Sequence, residues 1–311
     1  MAKNKTTMKD IADACGVSPA TVSYVINNSE KEHISHETRL KVLETAKRLN
    51  YLPNHKKRTM ARQKSNLVGI IINLGRQNSP TKKMLYYDLA AELHKQLAKA
   101  GYDTVLATTK DIEGDADIIA KRSLDATFII DVNTEGIRQV TRIYYVPIVF
   151  LECEFNDSLF CKIYPNYNLI ISQAQRIFGE EHLYLIMEDI LNQELKDIIT
   201  SRFQPEDIFI NSKNNDLKEF LRCRPSQKGL ILGDLLGLEA ERFTDNQNII
   251  VLTSLDDTLL LPDTKVIPIR NKTKAKAAVQ MLERLLCLDY DIGNANKLLL
   301  NPDMSYTSGS L

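Results

Sequence analysis

The chain is poor in the residue patterns that enzymes and secreted proteins display. It holds five cysteines, Cys15, Cys153, Cys161, Cys223 and Cys287, and none forms a Cys-x-x-Cys pair. An odd, scattered set suits free thiols in a reducing cytoplasm and argues against a disulfide framework. The five histidines show no metal-ligand spacing beyond His33-x-x-His36, which falls at a loop–helix junction. There is no G-x-G-x-x-G, no Walker-type glycine loop and no His-Glu-x-x-His, so nucleotide-dependent and zinc-hydrolase chemistries find no support. No cofactor, no metal and no enzymatic activity are expected. No apolar run approaches the roughly twenty residues of a membrane span, and no signal peptide opens the sequence. A cytoplasmic protein with no membrane association is the expectation.

Net charge is also absent, with 40 Lys and Arg against 40 Asp and Glu, but its distribution is uneven. Residues 1–66 carry thirteen basic and six acidic side chains, and the remainder carries 27 basic and 34 acidic. A basic head on an acidic body is the asymmetry of a protein that meets phosphate at one end only. Lys3, Lys5, Lys9, Arg39, Lys56, Lys57, Arg58, Arg62 and Lys64 are the candidate phosphate contacts.

Within that head, residues 7–27 spell a helix, a tight turn and a second helix. Thr7 can cap the first helix, and Asp10 three residues on completes a near capping box. Ile11 and Ala14 are expected on its buried face. Gly16 supplies the backbone freedom of the turn. Ser18 is an N-cap, and Pro19 stands at the first helical position, where its missing N–H costs nothing. Val22, Val25 and Ile26 form an apolar stripe, which leaves Thr21, Ser23, Tyr24 and Asn27 facing outward. An apolar side held by the first helix and a short polar side offered outward is the build of a major-groove recognition helix. A third helix from Ser35 to about Asn50 closes the core with Leu40, Leu43, Ala46 and Leu49.

These residues carry a resemblance to the LacI/GalR family of bacterial transcription regulators. The matching blocks are Lys9-Asp10-Ile11-Ala12, Gly16-Val17-Ser18, Ala20-Thr21-Val22-Ser23, Val25-Ile26-Asn27, Ile34-Ser35-His36-Glu37-Thr38-Arg39, Leu49-Asn50-Tyr51-Leu52-Pro53-Asn54 and Leu67-Val68-Gly69-Ile70. The resemblance implies a helix-turn-helix headpiece over 1–54, a hinge over 55–66, and an effector-binding and dimerisation domain over 67–311. It implies that Thr7, Lys9, Ser18, Pro19, Ala20, Thr21, Ser23, Tyr24, Asn27, Asn54, Lys57, Arg58, Met60 and Ala61 bind DNA. His33 is read either as a further contact or as a solvated loop histidine. Base edges would be read at Pro19, Ala20 and Tyr24, the first two by apolar contact alone. Met60 takes the place of the family's minor-groove wedge; the other reading of 55–64 is a flexible basic linker. Two headpieces related by two-fold symmetry imply a homodimer on a pseudo-palindromic operator.

Beyond residue 66, short apolar runs alternate with amphipathic stretches. The runs are Leu67–Ile72, Thr104–Ala107, Thr127–Asp131, Pro147–Leu151, Leu183–Met187, Asp207–Ile210, Gly229–Leu232 and Ile249–Thr253; helical patterns such as Leu85–Ala100 and Tyr167–Phe178 lie between them. This predicts an α/β fold with parallel sheets. About 245 residues exceed one sheet's usual span, so two lobes are expected. The resemblance implies a body built like a periplasmic sugar-binding protein.

It also implies a sugar or sugar phosphate in the cleft between the lobes, held by Asp256 and Lys196. Asp256 is equally readable as a turn carboxylate, and Lys196 stands where an Arg is usual and cannot make the same planar fork. Elsewhere in the cleft the family pattern decays. The expectations are therefore a repressor of carbohydrate-utilisation genes gated by a small molecule, the same regulator with a degenerate cleft that is constitutive or partner-controlled, or a cytosolic sugar-binding protein without DNA. Candidate dimer helices are Met84–Leu97 and Ala275–Leu288.

Overall fold

The computed structural model describes residues 6–27, 29, 34–49, 51, 65–75, 79–112, 124–143, 146–257, 259–289 and 296–302. Three helices come first: α1 (Met8–Cys15), α2 (Pro19–Ile26) and α3 (His36–Arg48). Their core is Ile11, Ala12, Cys15, Val22, Val25, Ile26, Val42, Leu43 and Ala46. Ala14 is exposed, contrary to the sequence expectation. Ala12 and Cys15 share the inward stripe with Ile11, one and four residues away, while Ala14 turns outward. Cys15 is 3% exposed and fills the turn as a small apolar group.

The remainder forms two lobes of parallel sheet. Lobe 1 has the strand order β11-β5-β4-β3-β1-β2, from β1 (Leu67–Asn73), β2 (Asp103–Thr109), β3 (Ala126–Ile130), β4 (Ile148–Leu151), β5 (Cys161–Pro165) and β11 (Lys297–Leu300). Lobe 2 has the order β10-β9-β8-β6-β7, from β6 (Tyr184–Glu188), β7 (Ile208–Asn211), β8 (Gly229–Leu232), β9 (Ile249–Thr253) and β10 (Lys265–Pro268). The helices are α4 (Pro80–Lys99) and α5 (Thr134–Ile143) in lobe 1, then α6 (Tyr167–Phe178), α7 (Gln193–Thr200), α8 (Leu217–Arg222) and α9 (Asp234–Ala240) in lobe 2. The chain then returns to lobe 1 as α10 (Asn271–Leu286). Every strand pairing among the described residues is parallel. The central strands are buried on both faces, so they read as unbroken apolar runs.

Strands β5, β10 and β11 were not among the eight predicted runs. Cys161-Lys162-Ile163 and Lys297-Leu298 interrupt their apolar pattern with lysines that find partners inside the fold; Lys162 Nζ donates to the carbonyl of Phe155 at 3.1 Å. Helix α10 packs against α4, and its Val279, Leu282 and Leu285 are buried there. Its apolar stripe is thus lobe 1 core, whereas Met84 and Tyr87 on α4 and Leu106 on β2 stay exposed. No helix among the described residues is long and apolar enough to cross a membrane.

Candidate functional site

The headpiece is held by caps that the sequence encodes locally. Thr7 Oγ1 accepts the amide of Asp10, and Asp10 Oδ2 accepts the amide of Thr7 at 2.7 Å, a complete capping box. The Thr7 amide, and after it the Thr7 hydroxyl that also donates to Asp10 Oδ2 at 2.8 Å, hold the Asp10 carboxyl below its ordinary pKa. Gly16 closes α1 in the left-handed region, at φ 67°. Ser18 Oγ accepts the amide of Thr21 at 3.0 Å, and Pro19 opens α2. Burial of Val22, Val25 and Ile26 against α1 fixes the rotation of α2 and decides which residues it presents.

Pro19 and Ala20 are exposed, and Thr21, Ser23, Tyr24 and Asn27 are half-buried. Ser18, Ala20, Thr21 and Tyr24 line one open hollow of about 590 Å³ together with Val17, Ile34, Ser35 and Thr38. Asn27 Nδ2 donates to Ser23 Oγ at 3.2 Å, so these two side chains form a unit along α2. Thr7 and Lys9 are exposed at the start of α1. His33, Asn54, Lys57, Arg58, Met60 and Ala61 lie outside the described residues.

In the body the segments just beyond the carboxyl ends of β3 and β6 meet, Asp131 bonding Leu191 and Asn192, and in open α/β sheets ligands bind outside the carboxyl ends of strands. The two residues expected to hold an effector are not brought together there. Lys196 Nζ is 2.6 Å from Asp189 Oδ1 on its own lobe. Asp256 is half exposed and pairs with Arg270 at 3.6 Å and Lys272 at 3.8 Å. Neither lines the cavity between the lobes, a space of about 180 Å³ walled by Met84, Leu85, Leu235, Leu236, Leu255 and Leu259 with Asp88, Glu188 and Asp234. Asp234 is spent locally, accepting the amide and hydroxyl of Ser254 at 2.8 and 2.7 Å.

What occupies the cleft is a set of polar residues that the sequence reading passed over. Lys82 is 2% exposed, and its Nζ lies 2.6 Å from Asp131 Oδ2 and donates to the carbonyl of Asp189 at 2.6 Å. Asp131 also accepts from Tyr86 Oη at 3.0 Å and from the amides of Leu191 and Asn192 at 2.9 and 3.3 Å. A second buried pair, Lys274 with Glu152, is joined by Tyr167 Oη, which donates to Glu152 at 3.1 Å. Glu188 accepts from Ser79 Oγ at 2.6 Å, from Thr81 Oγ1 and from Asn211 Nδ2. Burial pushes the carboxyls of Asp131 and Glu188 above their ordinary pKa, opposed by Lys82 at the first and by the Ser79, Thr81 and Asn211 hydrogen bonds at the second.

Asp131 and Glu152 adopt left-handed backbone, at φ 55° and 54°. That conformation costs a non-glycine residue roughly 1 kcal/mol. Both stand one residue past an apolar strand. The signal that could have found them is a carboxylate directly ending each of the runs Phe128-Ile129-Ile130-Asp131, Val149-Phe150-Leu151-Glu152 and Leu185-Ile186-Met187-Glu188.

Comparison with known proteins bears on both regions. A family profile described as bacterial regulatory proteins, lacI family, matches residues 7–54. The chain is 25% identical over 317 residues to catabolite control protein A of Staphylococcus aureus, covering 96% of this chain and 92% of that protein. It is 31% identical over 174 residues to the HTH-type transcriptional regulator MalR of Staphylococcus xylosus, covering 54% of this chain and 50% of that one. Among solved structures, a transcriptional regulator CelR–cellobiose complex superposes with a TM-score of 0.57 at 18% identity, over 96% of this chain and 98% of that one. The lac repressor dimer bound to operator and the anti-inducer ONPF gives 0.56 at 18% identity, over 96% and 97%. At that identity the superpositions establish the shared fold.

Proposed function

We propose, from the premise that this chain belongs to the LacI family of bacterial regulatory proteins, that it is a cytoplasmic, dimeric repressor of carbohydrate-utilisation genes. It is a DNA-binding transcriptional regulator and not an enzyme. The observation that carries the reading is the capped helix pair, which turns Ser18, Ala20, Thr21 and Tyr24 toward one open face of a basic segment. Lys9 and the basic residues of 55–64 supply phosphate contacts, and Met60 supplies the wedge at the centre of the site. The carbohydrate class is supported by the names of its relatives, a catabolite control protein and a MalR. Dimerisation through lobe 1 is supported by the exposed apolar residues Met84 and Tyr87 on α4 and Leu106 on β2.

Two readings of the cleft follow the same DNA chemistry. In the first the cleft is closed by the chain's own side chains, and control comes from elsewhere or is absent. The saturated hydrogen bonds around Asp131 favour it. In the second a sugar or sugar phosphate is held by Asp256 and Lys196, as cellobiose and ONPF are present in the complexes of the neighbours. This second reading requires Asp256 to leave Arg270 and Lys272, and Lys196 to leave Asp189.

The test of the DNA role is selection of binding sites from random duplex by the full chain. Enrichment of a pseudo-palindrome, with affinity falling steeply as salt rises, is expected. Binding without any enriched motif would rule the reading out. Tyr24→Ala should then alter the preference at one position in each half-site.

A further inference from the structure

In a two-lobed binding fold the lobes meet over a ligand, whose polar groups satisfy both sides. Here the chain satisfies both sides itself. We infer that the loop following β6, residues 189–192, is a built-in plug that takes the place of a ligand in lobe 1 and keeps the lobes closed without one. The inference rests on the closed-cleft reading above and is independent of the DNA role.

The argument begins at Asp131, at the carboxyl end of β3. A carboxylate offers about four lone-pair directions. Oδ1 accepts the amides of Leu191 and Asn192, and Oδ2 accepts from Lys82 Nζ and Tyr86 Oη. No direction is left for a sugar hydroxyl, and two of the four donors come from the plug. The bonding runs the other way too: Asn192 Nδ2 donates to the carbonyl of Val132 at 3.1 Å, and Asn192 Oδ1 accepts the amide of Glu154 at 2.9 Å. Asn192 is wholly buried. It also caps α7, accepting the amide of Leu195 at 2.9 Å, so the plug is rigidly continuous with lobe 2.

Flanking contacts extend the seam. Thr134 Oγ1 on lobe 1 lies 2.6 Å from both carboxylate oxygens of Glu194. Ser79 and Thr81 on lobe 1 donate to Glu188. The apolar tip of the plug, Leu191, lies over Gly75, where a methyl group would stand 2.9 Å from Leu191 Cδ2. Gly75 adopts φ 66°, a left-handed backbone that favours glycine, and its missing Cβ lets Leu191 lie close over it. The polar groups, the apolar tip and the receiving glycine are thus matched as a ligand and its pocket are matched.

Hydrogen exchange on the full chain, read by mass spectrometry, tests the plug. Without any added ligand, amides 190–192 are expected to exchange at least about 100-fold more slowly than in an unstructured peptide. Adding glucose, maltose, cellobiose or glucose 6-phosphate should not change that protection or the radius of gyration from small-angle scattering. Asn192→Ala should speed exchange at 131–134 and 190–192 by about tenfold or more while leaving β8 and β9 protected. If that variant does not fold, Thr134→Val, which removes one rim contact, should give a smaller gain confined to the same segments. Rapid exchange at 190–192 with scattering insensitive to the sugars would overturn the plug and leave the closed cleft standing. Compaction on adding a sugar, with protection appearing only then, would overturn both.

Discussion

Replacing Lys82 with methionine removes one charge from the middle of the body and changes little in shape. Methionine matches the length of the lysine stem and can still lie beside Tyr86, whose ring centroid is 5.5 Å from the ammonium. The loss is the bond to Asp131 and the bond to the carbonyl of Asp189, both 2.6 Å. Removing one member of a buried pair usually costs about 3–5 kcal/mol. A ceiling follows from proton uptake. A carboxyl with an ordinary value of 3.8 can escape an unpaired charge by binding a proton, at a cost near pH 7 of about 4 kcal/mol. Three donors remain on Asp131, so we expect a loss of about 3 kcal/mol at pH 7, or roughly 1 M in urea midpoint.

The pH dependence carries the mechanism of that loss. In Lys82→Met the folded-state value of Asp131 rises further above 3.8. Its penalty is therefore absent below that pH and grows as pH increases. Urea unfolding at pH 7 and pH 4.5 should show the deficit shrinking at the lower pH. The double variant Lys82→Met/Asp131→Asn, which needs no proton, should recover about 2 kcal/mol of it. A deficit under about 1 kcal/mol at pH 7, or one equal at both pH values, would refute the assignment of a charged, buried pair.

Ser18→Ala removes the cap of α2 and should cost about 1 kcal/mol, seen as roughly fivefold faster amide exchange over 22–26; unchanged exchange would deny the cap any role. Asp256→Ala should move the melting transition by less than about 0.5 kcal/mol, because its partners sit at 3.6 and 3.8 Å on a half-exposed surface. Glu188 is raised by burial, so its contribution is favourable below 4.5 and is lost as pH rises through its folded value. Glu188→Gln should remove that downward slope from a plot of unfolding free energy against pH, and an unaltered slope would place the titration elsewhere.

The headpiece was largely legible because its determinants are local. A cap, a glycine turn, a proline at the first helical position and a stripe at helical spacing each act within four residues, and Thr7, Gly16, Ser18 and Pro19 do in the structure what their chemistry dictates. Eight strands of the body were legible as apolar runs for the same reason. Ala14 was misplaced because two faces of a short helix carry small residues, and only packing against α2 and α3 selects between them. Strands β5 and β11 were missed because each carries a lysine inside a short apolar run, and only the fold supplies its partners: the Phe155 carbonyl for Lys162 and the Glu154 carboxylate for Lys297. The cleft was least legible of all. Lys82, Asp131 and Asn192 are separated by tens of residues, as are Lys274 and Glu152, and nothing in their spacing says that they meet. Asp256 and Lys196 matched a family position, yet each makes its ion pairs within lobe 2 or its exit, Lys196 with Asp189 and Asp256 with Arg270 and Lys272.

The strand order also dictates the sequence in which the body can assemble. Lobe 2 is one continuous stretch, from α6 to β10, set between two portions of lobe 1. Strand β11 completes lobe 1 by pairing with β5, although more than 130 residues of chain separate them, and α10 covers α4 only after lobe 2 has been synthesised. On the ribosome, then, the domain that begins second finishes first. Lobe 1 must wait with α4 and β5 uncovered, an interval in which apolar surface is open to aggregation. The early product is a basic headpiece followed by an unfinished sheet, so a truncation between residues 268 and 297 leaves a complete lobe 2 attached to a lobe 1 that lacks its last strand.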